Sequence, residues 1–235
     1  MLEAKNISLA IDGKTLLDNI SLRVCAGEFI CLAGPNGSGK TLLLRVLCGL
    51  LKPTSGAVFY EGADIAPLCA RERSKILRLM SARPENVFNY TARDIALMGA
   101  NPYMQWWRDY SAQNTAAAQA ALESTGTAAL AARGVLTLSD GELQRVFIAQ
   151  ALAGAPAVIL PDEPTSHLDL KQKDIIFKLF SRISREGRAL ICATHDLELA
   201  KKYATRICLL GAGRLLYDTP AARLSEEMIK ETYDI

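Results

Sequence analysis

Neither sign of charge dominates this sequence of 235 residues, whose formal net charge is only +2. It has no dense block of Lys or Arg, so a nucleic-acid surface built on basic charge is not expected. Arg71, Arg73, Lys75 and Arg78 are spaced as a solvated helix face instead. Long apolar runs are also missing. A membrane-spanning helix needs roughly 18 or more apolar residues, whereas the most tempting stretch, Leu42 to Leu51, is short and interrupted by Arg45. The opening Met1-Leu2-Glu3-Ala4-Lys5 has no apolar core and no small-residue cleavage site, so no export signal is expected. The six cysteines (Cys25, Cys31, Cys48, Cys69, Cys192, Cys208) include no C-x-x-C pair, and no His/Cys cluster suits zinc. Most lie inside apolar runs, which predicts reduced core thiols in the cytoplasm. Internal repeats and low-complexity tracts are lacking as well.

Half of the residues are hydrophobic, enough for one large α/β domain or a domain with a subdomain. Apolar and polar residues alternate through Ile7, Leu9, Ile11 and then Ile20, Leu22, Val24 around Asp12-Gly13-Lys14, the pattern of antiparallel strands. A break at Lys52-Pro53-Thr54-Ser55-Gly56 precedes a short strand, Ala57 to Tyr60, and a helically spaced segment, Arg71 to Met80. Residues from about Pro84 to Gly134 are rich in Ala, Asn, Gln and aromatics, with a predicted helix over Tyr110 to Thr125, and read as an inserted helical subdomain. Beyond Leu138, apolar strands (Ala157 to Leu160, Ala189 to Ala193, Arg206 to Leu210) alternate with helices (Glu142 to Ala153, Leu170 to Arg185, Leu197 to Tyr203). That alternation predicts a parallel sheet covered on both faces.

The most specific local signal is Gly34-Pro35-Asn36-Gly37-Ser38-Gly39-Lys40-Thr41, which fits G-x-x-x-x-G-K-[ST]. It stands between an apolar run, Phe29 to Ala33, and a helix-like segment, Leu42 to Leu51, the context this motif needs. Its glycines let the backbone turn tightly and aim N–H groups inward, so the loop and following helix N-terminus make a nest for phosphate oxygens. Lys40 is placed to reach the β- and γ-phosphates of a nucleotide, and Thr41 to hold Mg²⁺. Downstream, the strand Ala157 to Leu160 and Pro161 lead into Asp162 and Glu163. A carboxylate at the end of such a strand holds Mg²⁺, which assigns Asp162 to the metal, and Glu163 follows as the base for a water attacking the γ-phosphate.

Two further segments are Leu138-Ser139-Asp140-Gly141-Glu142, opening a helix, and Ser166-His167-Leu168-Asp169, followed later by His195. Taken in order with the phosphate loop and the paired acids, they make the chain resemble the ATP-binding-cassette ATPases over nearly its whole length. The resemblance implies an α/β fold: a P-loop NTPase parallel sheet core with an antiparallel β subdomain (1–83 and 155–235) and an inserted α-helical subdomain (about 84–154). It implies a head-to-tail dimer in which Ser139 and Gly141 of one copy meet the γ-phosphate held by the other. His195 would sense that phosphate, and Asp169 would lie in the nucleotide interface. Ser139 and Glu142 also fit an ordinary helix capping box.

The sequence departs from the family pattern at Ala82, where glutamine usually couples the site to a membrane partner. It departs also at Ile11, where an aromatic usually stacks on adenine, and at Asp140, where glycine is usual. The segment Tyr90 to Tyr103 looks like that of import ATPases for ferric siderophores, haem or cobalamin, and Gly213 to Pro220 is similar to their closing strand and turn. The implied partners are integral membrane permease subunits, a second copy of the chain and, indirectly, a periplasmic or lipoprotein substrate-binding protein. The implied place is the cytoplasmic face of the cell membrane. Phe88, Tyr90, Tyr103, Trp106 and Trp107 form either the surface that grips the permease or an aromatic satellite core. An exporter ATPase, a soluble cassette without membrane partner and a nucleotide-gated regulatory module are the competing readings.

Overall fold

A computed structural model describes residues 1–81, 88, 90–104 and 109–234 of the chain. Strands β1 (Leu2–Ile11) and β2 (Lys14–Val24) form the antiparallel pair read from the alternation. Their turn places Asp12 at φ 50° and Gly13 at φ 76°, the twofold left-handed geometry that suits a two-residue hairpin. β3 (Phe29–Ala33) is buried throughout. The helix after the phosphate loop, α1, spans Lys40–Leu47, beginning two residues earlier than the apolar run. It stops short of Leu51 because Gly49, at φ 70°, turns the chain in the left-handed conformation typical just beyond a helix end. β4 (Ser55–Tyr60) and the short β5 (Ala63–Asp64) complete a sheet ordered β2-β1-β4-β5.

The segment Arg71 to Met80 is not one helix. α2 (Ala70–Ile76) gives way to β6 (Leu77–Met80), which is an edge strand of the central sheet. Parallel pairing with β7 overrides the helical spacing, because both ends of the Leu77–Met80 segment are buried against that sheet. The basic residues here are not a freely solvated face either. Arg71 donates to the carbonyls of Pro102 and Met104, Arg73 to that of Leu68, and Arg78 to that of Gly99 at 2.9 Å. Lys75 sits 5.4 Å from the centre of the Tyr103 ring.

α3 (Ala92–Met98), α4 (Ala112–Ser124) and α5 (Asp140–Ala153) pack on one another. Ala92, Ile95, Val135, Leu143 and Val146 form a small core of their own between α3 and α5. The chain then returns through β7 (Val158–Pro161), α6 (Leu170–Arg185), β8 (Ala189–Ala193), α7 (Leu197–Tyr203), β9 (Arg206–Gly211), β10 (Arg214–Pro220) and α8 (Glu226–Tyr233). The central sheet runs β10-β9-β3-β8-β7-β6, parallel except for the β9–β10 hairpin.

Both faces of this sheet are buried, as its apolar strands require. Alternate residues of β3 serve two cores: Phe29, Cys31 and Ala33 face α6 and its neighbours, while Ile30 and Leu32 face α1 and the antiparallel sheet. On the first face Phe29, Phe177 and Phe180 meet with ring centres 6.0 to 6.5 Å apart. All six cysteines are unpaired, but Cys69 is exposed at the start of α2 and Cys25 half-buried, so the core-thiol reading holds for the other four. No helix among the described residues is long and apolar enough to cross a membrane.

Candidate functional site

The parallel strands β3, β7 and β8 end on one edge, where open α/β sheets gather their ligand sites. The phosphate loop leaves β3 there. Gly34, Ser38, Gly39 and Lys40 are buried while Asn36 and Gly37 reach the surface. Gly34, at φ 149°, admits no side chain, since a Cβ would fall 2.0 Å from the Leu210 carbonyl oxygen. Gly39, at φ 101°, begins α1 with no side-chain cap. The first-turn N–H groups of α1 therefore keep their capacity for an external acceptor. Ser38 presents a hydroxyl that is buried and without a hydrogen-bond partner, a group that needs an acceptor or donor from a ligand.

Lys40, only 5% exposed, folds back over its own loop and donates to the carbonyls of Gly34 at 2.8 Å and Pro35 at 3.1 Å. Burial lowers its ammonium pKa, with the nearby carboxylates Glu163 and Asp162 opposing that shift. Thr41 follows on α1 and donates its hydroxyl hydrogen to Asp162 Oδ1 at 3.0 Å. Asp162 stands just past β7, and its own N–H donates to the Met80 carbonyl at 2.7 Å. Burial pushes the Asp162 carboxyl above its ordinary value against the pull of the Thr41 hydrogen bond, and Glu163 pushes it further. The two hard oxygens of Thr41 and Asp162 are of the donor type that Mg²⁺ prefers, so the residues fit a magnesium site.

Glu163 occupies the left-handed region at φ 48°, uncommon outside glycine. Its carboxylate Oε1 lies 2.7 Å from Nε2 of His195, which follows β8. The phosphate loop, Thr41, Asp162, Glu163 and His195 are thus gathered at one edge by β3, α1, β7 and β8.

The remaining predicted site residues stand apart from the phosphate loop. Ser139 caps α5 and exchanges hydrogen bonds with Glu142: Ser139 N–H and Oγ donate to Glu142 Oε2 at 2.9 and 2.8 Å, while Glu142 N–H donates back at 3.4 Å. The capping box is therefore real. Gly141 packs so tightly on α6 that a Cβ would lie 2.3 Å from the Gln172 side chain. Asp169 caps α6, its Oδ1 accepting the Gln172 N–H at 2.8 Å. Among the described residues no hydrogen bond links Ser139, Gly141 or Asp169 to the phosphate loop of the same chain. Asp140 and Glu163 line one small pocket, which also contains Ser166 and His167.

Ile11 is 44% exposed at the end of β1. Phe88 and Tyr90 are exposed with rings 6.0 Å apart, and the Tyr103 hydroxyl donates to the Gly154 carbonyl at 3.0 Å. Ala82, Trp106 and Trp107 lie outside the described residues. Sequence reasoning missed Tyr233, whose hydroxyl touches the phosphate loop from the far end of the chain.

Residues 17–166 match the family described as ABC transporter. A hemin import ATP-binding protein, HmuV, of Rhodopseudomonas palustris is 36% identical over 243 residues, covering 100% of this chain and 88% of that protein. An achromobactin transport ATP-binding protein, CbrD, of Dickeya dadantii is 33% identical over 234 residues, covering 99% and 87%. An uncharacterized ABC transporter ATP-binding protein, YvrA, of Bacillus subtilis is 34% identical over 99% of this chain, which spans only 53% of that relative. Among solved structures, an ATP-binding cassette of an ABC transporter in its ADP conformation superposes with a TM-score of 0.86 at 25% identity, covering 98% of this chain and 93% of that one. A dimeric bacterial ABC transporter cassette gives 0.79 at 28% identity, covering 95% of this chain and 100% of that one.

Proposed function

The chain belongs to the ABC transporter family of ATP-binding cassettes, and on that premise we propose that it hydrolyses ATP to drive a membrane importer for iron-siderophore, haem or cobalamin. The observation that carries this reading is the gathering of Lys40, Thr41, Asp162 and Glu163 around one glycine-rich cradle. The phosphates of ATP would sit on the N–H groups of residues 34–41, with the orphaned Ser38 hydroxyl among their partners. Lys40 exchanges two backbone carbonyls for β- and γ-phosphate oxygens, which also neutralise the cation that burial disfavours. Thr41 and Asp162 would hold Mg²⁺, which supplies neutralisation of the phosphate charge when bound. Glu163 orients a water and takes its proton, and His195 fixes the carboxylate that does so.

Ser139, Gly141 and the N-terminus of α5 would serve a nucleotide held by a second copy, in a head-to-tail dimer. Asp169, by capping α6, stiffens the loop that reaches that interface. We divide the chain into a core with β subdomain (1–83 and 155–235) and a helical subdomain (about 84–154). Exposed Phe88 and Tyr90 belong to the surface offered to the permease. In this reading the protein works at the cytoplasmic face of the cell membrane, meets a substrate-binding protein only through the permease, and binds no nucleic acid. Titration of ATP in the presence of Mg²⁺ into the wild-type chain and Lys40→Ala tests it. Binding by the wild type that the variant loses is the expected result, and equal affinity would remove the basis of the reading.

A further inference from the structure

We infer that Tyr233, near the end of α8, is a positioning residue for the phosphate loop, an inference that rests on the nucleotide-binding reading of that loop. The ladder between β3 and β9 ends at the Ala33–Leu209 pair, so the next backbone donor, the N–H of Gly34, needs an acceptor from elsewhere. Tyr233 supplies it: the phenol oxygen accepts that N–H at 3.0 Å across 199 residues of sequence. Pro35, which follows, has no N–H to offer, so this is the last main-chain donor before the loop turns.

The same glycine sends its carbonyl to Lys40 Nζ at 2.8 Å. Gly34 is thus tied through its N–H to α8 and through its C=O to the lysine that reaches for phosphate. On its remaining side it is pressed against the Leu210 carbonyl, where no Cβ fits. Three contacts, one steric and two of them hydrogen bonds, fix the backbone where the loop begins.

α8 is held firmly enough to act as a strut. Ser225 caps it, accepting the Met228 N–H at 3.3 Å, and Met228 and Ile229 pack against the large core beneath β9. Thr232 is buried and donates to the Met228 carbonyl at 2.7 Å, and the Tyr217 hydroxyl donates to Glu231. Burial raises the pKa of the Tyr233 phenol, so it stays a neutral hydroxyl over the physiological range.

Without that hydroxyl, a buried N–H is left unpaired. Swinging that N–H towards another acceptor turns the backbone about Gly34, which shifts the Gly34 carbonyl and with it the resting place of Lys40. Bound phosphate must then restore the loop, so the loss falls on nucleotide affinity. The proton transfer at Glu163 is untouched, because Glu163 hangs from β7 and β8 through its own contacts.

The test compares the full-length wild type with Tyr233→Phe and Ile229→Ala, by ATP titration, by KM and kcat for ATP, and by amide exchange at Gly34 without nucleotide. Tyr233→Phe is expected to raise both Kd and KM on the order of tenfold, to leave kcat within about twofold and to speed exchange at Gly34. Ile229→Ala, which loosens the helix but keeps the hydroxyl, is expected to lower thermal stability with a smaller loss of affinity. Unchanged affinity in Tyr233→Phe overturns the inference, as does an equal loss in both variants or a loss confined to kcat. If the wild type binds ATP and Lys40→Ala does not, those outcomes count against Tyr233 alone. A wild type that binds no nucleotide would fail the functional reading itself.

Discussion

Nε2 of His195 and Oε1 of Glu163 lie 2.7 Å apart, brought together from the ends of the neighbouring strands β8 and β7. Glu163 reaches this partner from a left-handed backbone conformation, φ 48°, which costs roughly 1–3 kcal/mol for a residue that is not glycine. The backbone on either side holds it there, with the Glu163 N–H donating to Ala193 at 3.1 Å and the Asp162 N–H to Met80 at 2.7 Å. A costly conformation that delivers a carboxylate to a histidine beside a phosphate cradle is what a positioned base needs. His195→Ala is therefore expected to lower the rate of ATP hydrolysis by about 100-fold or more while changing ATP affinity little. Steady-state kinetics beside a binding titration check both halves, and full activity in the variant would remove His195 from the chemistry.

Much of this site was legible because its motifs are local. The phosphate loop, Asp162, Glu163 and His195 each follow an apolar strand, and α6 over Leu170–Arg185 and β8 over Ala189–Ala193 have the bounds their periodicity predicts. What was not legible depends on distant partners. Leu77–Met80 reads as the tail of a helix until β7 stands beside it. Arg71 and Arg78 read as solvated because their acceptors, the carbonyls of Pro102, Met104 and Gly99, carry no sequence signature. α8 is short and rich in charge, and nothing near Tyr233 in sequence marks its contact with Gly34.

The Asp162 carboxyl gives a pH prediction. Burial is the main cause of its raised pKa. An acid whose folded-state pKa lies above its unfolded value stabilises the fold in its protonated form; that contribution is complete below the unfolded pKa and is lost as pH rises through the folded one. At neutral pH the ionised Asp162 therefore opposes folding of the nucleotide-free chain. Asp162→Asn is expected to melt higher than the wild type at pH 7, by about 2–4 °C for each kcal/mol relieved. The gap should close as pH falls towards the unfolded carboxyl value, about 3.9. Thermal unfolding across that range measures it, and a variant that melts lower throughout would contradict the assignment.

Ser139 has two expected uses that separate experimentally. As the cap of α5 its loss in Ser139→Ala costs about 1 kcal/mol, seen as a melting point lower by about 2–4 °C. Hydrogen bonds from Ser139 hold the Glu142 carboxyl below its usual range. That part of the stability is present above the unfolded glutamate pKa and is lost as pH falls through the lowered folded value, so the stability gap between wild type and variant should narrow in acid. As a group offered to a second copy, Ser139 should matter to ATP-driven dimerisation as well. Sedimentation of Glu142→Gln beside Ser139→Ala, at matched stability, distinguishes the two uses: only the serine variant should fail to dimerise with ATP.

The most direct measurement is the rate of Mg²⁺-dependent ATP hydrolysis by the purified chain beside Glu163→Gln, alone and with its membrane partner. Turnover by the wild type and a loss of at least about 100-fold in the variant, which still binds ATP, are the expected results. Turnover that survives in Glu163→Gln, or ATP binding without turnover in the wild type even when the partner is present, would contradict the proposed function.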